Sequence, residues 1–138
     1  MIFQTSLNIS TKGRSTHEIT SMVKQQLEQS GIRNGLCNVF IRHTSASLII
    51  CENADPGVRS DLETFFSSLI IDGDPAFRHD TEGDDDMPAH IRTILTDASL
   101  TIPVTNARLA LGTWQGIYVY EHRYQDYQRH IFLTFFGE

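Results

Sequence analysis

Cationic side chains are scarce in this chain. Eleven lysines and arginines face 17 aspartates and glutamates, leaving a formal net charge of -6. No segment supplies the basic footprint that nucleic-acid binding needs, so no nucleic-acid partner is expected. A small anionic ligand is still compatible, because a local site can be positive in an acidic protein. Long apolar runs are missing too. None approaches the roughly 20 residues of a membrane helix, and Met1-Ile2-Phe3-Gln4 lacks a basic stretch leading into an apolar one. The expectation is a cytoplasmic protein with no membrane partner. Cysteine is limited to Cys37 and Cys51. If their apolar runs form a hairpin the two lie roughly opposite each other, yet free thiols behaving as small hydrophobes are the better expectation in a reducing compartment. There is no phosphate-binding loop, dinucleotide fingerprint, zinc ribbon or helical His-x-x-x-His pair, and no internal repeat. What remains is ordinary globular composition, 40% apolar and 20% charged, over 138 residues. That length predicts one domain spanning 1–138.

Strands dominate the pattern. Residues 2–9 alternate, with Phe3, Thr5, Leu7 and Ile9 sharing a face. After a turn at Lys12-Gly13-Arg14, Ser15-Thr16-His17-Glu18 fits a capping box for a helix with apolar positions Ile19, Met22, Val23 and Leu27, ending at Gly31. Strands follow at 36–43 and 47–52. Asp55 and Pro56 open a helix whose stripe Val58, Leu62, Phe65, Phe66 and Leu69 reads as buried. Residues 71–86 form a long polar loop that holds Arg78-His79-Asp80 among five further aspartates, Asp72, Asp74, Asp84, Asp85 and Asp86. Loops of that length inside a compact domain are commonly functional or disordered. A short helix at 87–95 carries His90, and strands at 100–104, 108–111, 117–123 and 130–136 complete the chain. Helices inserted among strands predict an α+β domain with a sandwich-like sheet arrangement.

The richest chemistry lies between His43 and Arg59. An apolar row of Cys37, Val39 and Ile41 ends in His43, passes Thr44, Ser45 and Ser47, and a second apolar run ends in Glu52-Asn53. One reading is a site where a rigid scaffold meets a loop; the other is a strand, a turn and a capped helix. Arg59 and Asp61 fall off the helix stripe, where a solvated or salt-bridged face is the default. Gly112 and Gly116 bracket Thr113-Trp114-Gln115, which could hold the single tryptophan against a ligand or turn it into the core. His17 reads as a surface residue, and His122 and His130 are given no role.

His43-Thr44-Ser45-Ala46-Ser47-Leu48, Glu52-Asn53-x-Asp55-Pro56, His79-Asp80-x-Glu82-Gly83, Met87-Pro88-x-His90-Ile91 and Leu111-Gly112-Thr113-Trp114-Gln115-Gly116-Ile117 occur in this order. Together they resemble the YjbQ family from end to end, a family associated with secondary thiamine-phosphate synthases. The resemblance implies a two-sheet β-sandwich of about seven strands with inserted helices, trimerising about a threefold axis. It also implies condensation of a hydroxymethylpyrimidine pyrophosphate with a thiazole phosphate, as a weak or side activity. By matching position it carries over His43, Glu52, Asn53, Asp80 and Asp86 as catalytic residues and Thr113, Trp114 and Gln115 as substrate-binding residues, with Arg59 beside them. Convergence of His43, His79 and His90 on a divalent metal, zinc or magnesium, is the sharpest expectation. In a trimer, that site would be free to draw residues from two subunits. The alternatives are a metal-dependent enzyme of another reaction class and a non-catalytic binding module for a small anionic or phosphorylated metabolite. Glu52 ends the apolar run Leu48-Ile49-Ile50-Cys51, so it is expected either as an ionised ligand or proton acceptor, or simply as a cap on the turn to Asp55. Two positions depart from the family pattern: Thr96-Asp97 stands where Leu-Gly is common, and Ala107 where glycine is usual. A phosphate that approached those glycine backbones would meet an added side chain at each.

Overall fold

The alternation at the N-terminus extends further than its apolar residues require. In a computed structural model describing residues Met1–Glu138, β1 (Ile2–Lys12) pairs antiparallel along its whole length with β8 (Asp126–Gly137). β3 (Gly35–Ile41) joins the other edge of β8 and also pairs with β5 (Ser99–Thr105), which carries the short β6 (Arg108–Leu109). The result is a five-stranded sheet ordered β1-β8-β3-β5-β6. A second sheet, ordered β2-β7-β4, consists of Ser15–Glu18, Gln115–Glu121 and Ala46–Glu52. The fold is therefore α+β, a two-sheet sandwich with three helices, and it has eight strands.

The extra strand is a correction. Ser15–Glu18 is not a capping box but β2, paired with Glu121–Tyr118 of β7. The helix that follows, α1 (Thr20–Ser30), starts after Ile19 with no side-chain cap and ends on Gly31 at φ 72. Ser15 and His17 alternate on the strand, which lets the hydroxyl and His17 Nε2 meet at 2.8 Å. The hairpin imagined for Cys37 and Cys51 is absent as well. β3 and β4 lie in different sheets, and both thiols are free.

Between the sheets Leu7, Ile9, Val39, Ile41, Ile131, Leu133 and Phe135 meet Leu48, Ile117 and Val119 in one core cluster. Because side chains alternate along β7, Tyr118 and Tyr120 point the other way, toward α2 (Pro56–Leu69). There Arg59 lies over Tyr118, and Phe66 meets Tyr120 edge-on at 6.1 Å. Asp55 caps α2 as expected, accepting from Gly57 N at 2.8 Å. Its apolar stripe does not end up buried, however: no residue of α2 is, and Phe65 and Leu69 are exposed. α3 (Asp86–Leu95) packs on β4 beside it and leaves Ile94 81% exposed. No helix is long and apolar enough to cross a membrane.

Candidate functional site

α3 fixes the centre of the site. It begins at Asp86, so Asp86 and His90 are one turn apart on one face. The 71–85 loop returns His79 to the same point. His79 Nε2 is 2.7 Å from Asp86 Oδ2, His90 Nε2 is 3.5 Å from the same oxygen, and the two rings meet edge-on at 5.3 Å. One ligand atom from each residue lies within 4.8 Å of the other two. Arg123, just past the end of β7, reaches the opposite oxygen, its Nη1 donating to Asp86 Oδ1 at 2.7 Å. Burial alone would raise the Asp86 pKa, but the His79 hydrogen bond and the Arg123 charge outweigh it and hold the carboxylate below its usual range. Gly83 at φ +109 makes the loop turn here; a Cβ on it would come 3.1 Å from Asp85 Oδ1.

Two imidazole nitrogens and one carboxylate oxygen form a donor set that fits zinc or a similar borderline ion. It suits magnesium less well, since magnesium prefers oxygen ligands and retained water. Solvent reaches the cluster, as the His79 side chain is 48% exposed. Asp80 is exposed next to it, lining with His79 and Phe77 a hollow of about 110 Å³.

The third histidine does not join them in this chain. His43 Nε2 accepts from the backbone N–H of His130 at 2.8 Å, and its ring stacks on His130 at 5.6 Å. With Nε2 accepting, the ring proton sits on Nδ1, so His43 offers a donor rather than a lone pair. Burial, then the charges of Arg129 and His130, lower its pKa. The expected convergence of three histidines is thus corrected to two histidines and Asp86.

The remaining carried-over residues gather at the far end of β7. Register sets Glu52 opposite Gln115. Glu52 Oε2 accepts from Asp55 N at 2.7 Å, which is the capping geometry, and Arg59 Nη1 donates to Glu52 O at 2.8 Å and to the Tyr118 hydroxyl at 3.0 Å. Asn53 N donates to Trp114 O at 3.0 Å, and Gln115 Oε1 accepts from Gly112 N at 2.8 Å. Trp114 is 62% exposed, not a core filler. Thr113, Gln115 and Asn53 line an open hollow of about 450 Å³ with Thr20 and Lys24 of α1. Seven residues of β7 separate this end from Arg123, roughly 20 Å at a strand's rise of about 3.3 Å per residue.

Three features escaped the sequence reading. Arg123 and Asp85 are in the cluster's immediate surroundings, and the only sequence hint was a charged trio, Glu121-His122-Arg123, ending an apolar strand. The third is a hydrogen-bonded chain whose His122 and Ser47 are fully buried: His122 Nε2 lies 2.8 Å from Ser47 Oγ, which is 2.6 Å from Thr96 Oγ1. His122 Nδ1 has no protein partner, and burial, followed by the charges of Arg92, Arg14 and Arg129, holds its pKa well below the ordinary value. Ser47 has no access to solvent, which removes it as a nucleophile.

The model of the family described as UPF0047 protein YjbQ-like matches residues 5–138. UPF0047 protein sll1880 of Synechocystis is 51% identical over 135 residues, 98% of this chain and 92% of its own length. UPF0047 protein YjbQ of Escherichia coli O157:H7 is 42% identical, with 100% of both chains covered. Among solved structures, a YbjQ-like protein of unknown function from Sulfolobus solfataricus superposes with a TM-score of 0.87 at 27% identity, covering 100% of each chain. An uncharacterized conserved protein of the same family from Clostridium acetobutylicum gives 0.85 at 33% identity, covering 97% of this chain and 99% of its own. With its motifs, fold and relatives in agreement along the whole length, the chain belongs to the YjbQ (UPF0047) family.

Proposed function

We propose that this protein is a divalent-metal-dependent enzyme acting on a small phosphorylated metabolite, with the metal held by His79, Asp86 and His90. The observation that carries the reading is that a loop and a helix bring two imidazoles onto one carboxylate oxygen. Bound there, the metal would neutralise phosphate charge on a leaving group. The resemblance names the specific reaction: the thiazole nitrogen bonds to the pyrimidine methylene carbon, the C–O bond breaks, and pyrophosphate leaves with the electron pair. Asp80 lines the hollow beside His79, and His43, its Nε2 accepting from His130 N, would serve as a hydrogen-bond donor through Nδ1, not as a ligand.

Self-association belongs to the same reading. The chain leaves two different apolar faces uncovered. One is Phe65, Leu69, Ile94 and Leu95 on α2 and α3. The other is on the outer face of the large sheet, where Phe136 stands between its cross-strand partners Ile2 and Leu36, near Phe40. Unlike faces joined head to tail close into a ring when the rotation between copies is one third of a turn, which is the homotrimer proposed here. Such a ring would also give the Glu52, Trp114 and Gln115 end of one subunit a route to the metal end of the next.

The test is a zinc titration followed by thermal melting, together with an assay of thiamine phosphate formation against a panel of phosphorylated metabolites. At a free metal concentration a hundredfold above Kd, stabilisation of about 2.7 kcal/mol is expected, lost in His79→Ala and His90→Ala. Wild-type protein that neither melts higher with zinc nor turns over any phosphorylated compound would end the reading.

A further inference from the structure

We propose that Arg123 is the positioning residue of the His79–Asp86–His90 cluster, taking Asp86 Oδ1 so that Oδ2 alone faces the imidazoles. The inference rests on the metal reading above and extends it to the choice of ion. Arg123 Nη1 donates to Oδ1 at 2.7 Å, while Oδ2 lies 2.7 Å from His79 Nε2 and 3.5 Å from His90 Nε2. The carboxylate is therefore divided, one oxygen for the guanidinium and one for the imidazoles.

Arg123 is itself held on its remaining sides. Nε donates to Asp85 Oδ2 at 2.9 Å and Nη2 to the Glu82 carbonyl at 2.7 Å. Asp85 Oδ2 also accepts from Tyr124 N at 2.8 Å, tying the loop to the strand end from which Arg123 projects. All three guanidinium nitrogens are engaged and the side chain is only 11% exposed. A fork so occupied does not serve as a mobile clamp for a substrate anion; its work is to fix a carboxylate.

The chemical consequence is selectivity. A carboxylate with one oxygen neutralised by arginine is a single-oxygen donor of reduced charge. Two imidazoles beside such a donor favour zinc or cobalt. Calcium and magnesium lose the charge and the second oxygen on which they rely. A purely architectural clamp, closing the 82–86 loop onto β7, would leave metal affinity and spectrum untouched.

The experiment uses the full chain with cobalt(II) as the probe, titrated by visible absorption with and without excess magnesium. Arg123→Gln is expected to weaken cobalt binding about 10- to 100-fold, the usual cost of removing a partner behind a ligand, to shift the visible band, and to let magnesium compete better. Arg123→Lys, which keeps the charge and one bond, should fall between. Arg123→Gln protein that binds cobalt within about twofold of wild type, with the same band, overturns the proposal. Should that variant not fold, Asp85→Asn loosens the guanidinium without touching Asp86, and unaltered cobalt affinity there overturns it equally. Failure of the parent reading looks different. Wild type would then bind no cobalt, or His79→Ala and His90→Ala would bind it as tightly as wild type.

Discussion

Ala107 tests whether the glycine usual at its position serves a ligand or a turn. β5 and β6 pair Val104 with Leu109 and Thr105 with Arg108, which leaves Asn106-Ala107 as a two-residue loop. Both loop residues have positive φ, 50 and 60, the signature of a turn whose twist matches its strands. Asparagine tolerates that region, whereas a Cβ at the second position costs roughly 1–2 kcal/mol. Replacing Ala107 with glycine removes this strain but frees the unfolded chain, returning about 0.4–1 kcal/mol. The net expectation for Ala107→Gly is a gain of about 0–1.6 kcal/mol, centred on about 0.8 kcal/mol. Unfolding entropy near 2.1 cal/mol/K per residue over 138 residues is about 0.3 kcal/mol/K, so the melting temperature should rise by about 2–3 °C. The bond from Ala107 N to Arg33 O at 2.9 Å is a backbone bond and survives the change. Differential scanning calorimetry of the two proteins decides the matter. A glycine variant melting at or below wild type would refute the strain argument and return the position to a ligand-approach role. Asp97, the other departure from the family pattern, needs no such account: its φ is not positive, and its backbone exchanges two hydrogen bonds with Leu48.

Glu52→Gln keeps an acceptor for the Asp55 N–H and should cost well under about 1 kcal/mol, whereas Glu52→Ala should cost about 0.5–2 kcal/mol, read by urea unfolding. If Glu52 also acts in catalysis, the Gln variant loses turnover while keeping its melting temperature; unchanged turnover ends that role. Stability should also fall as the solution is acidified from neutrality. His122 is held below its ordinary pKa in the folded chain, so the unfolded chain takes up its proton first. The contribution is therefore complete above about pH 6.5 and declines below it, by at most about 1.4 kcal/mol per pH unit for one proton. The shift of His43 has the same sign and adds to it. His122→Asn should flatten the slope of unfolding free energy between about pH 5 and 6.5, and a slope as steep as wild type would exclude His122 as its source. If the chain trimerises as proposed, Leu69→Glu or Phe65→Glu, each in the exposed apolar face of α2, should lower the mass in light scattering to that of a monomer. A wild type already monomeric at micromolar concentration would remove the oligomer from the reading.

The sequence made much of the framework legible because alternation and helical spacing report which faces want cover. The long strands, the Asp55-Pro56 helix start and the His90 helix all came from such local signals. The misses have physical causes. Ser-x-x-Glu satisfies a capping box and an edge strand equally well, and pairing with Tyr118–Glu121 of β7 decided for the strand. The α2 stripe was read correctly as apolar and wrongly as buried, because periodicity shows that a face needs a partner without saying that the partner lies in the same chain. The site divides along the same line. His79, Asp86 and His90 lie within twelve residues of each other, so a loop and one helix turn could bring them together. Arg123 joins them from 37 positions beyond Asp86, through a strand order that no local pattern encodes. His43 lies just past the end of β3, with its ring nitrogen already taken by the backbone amide of His130 in β8. The Glu52, Trp114 and Gln115 group and the His79, Asp86 and His90 group are both present in one chain, toward opposite ends of β7, which pairs with β4 along its whole length. With Gln115 at the first residue of β7 and Arg123 beyond its last, the paired strand holds the two groups apart within the chain. If the two halves act on one substrate, they would meet between subunits of the proposed ring, and the same α2 substitutions that break such an oligomer should then abolish turnover while leaving zinc binding in place.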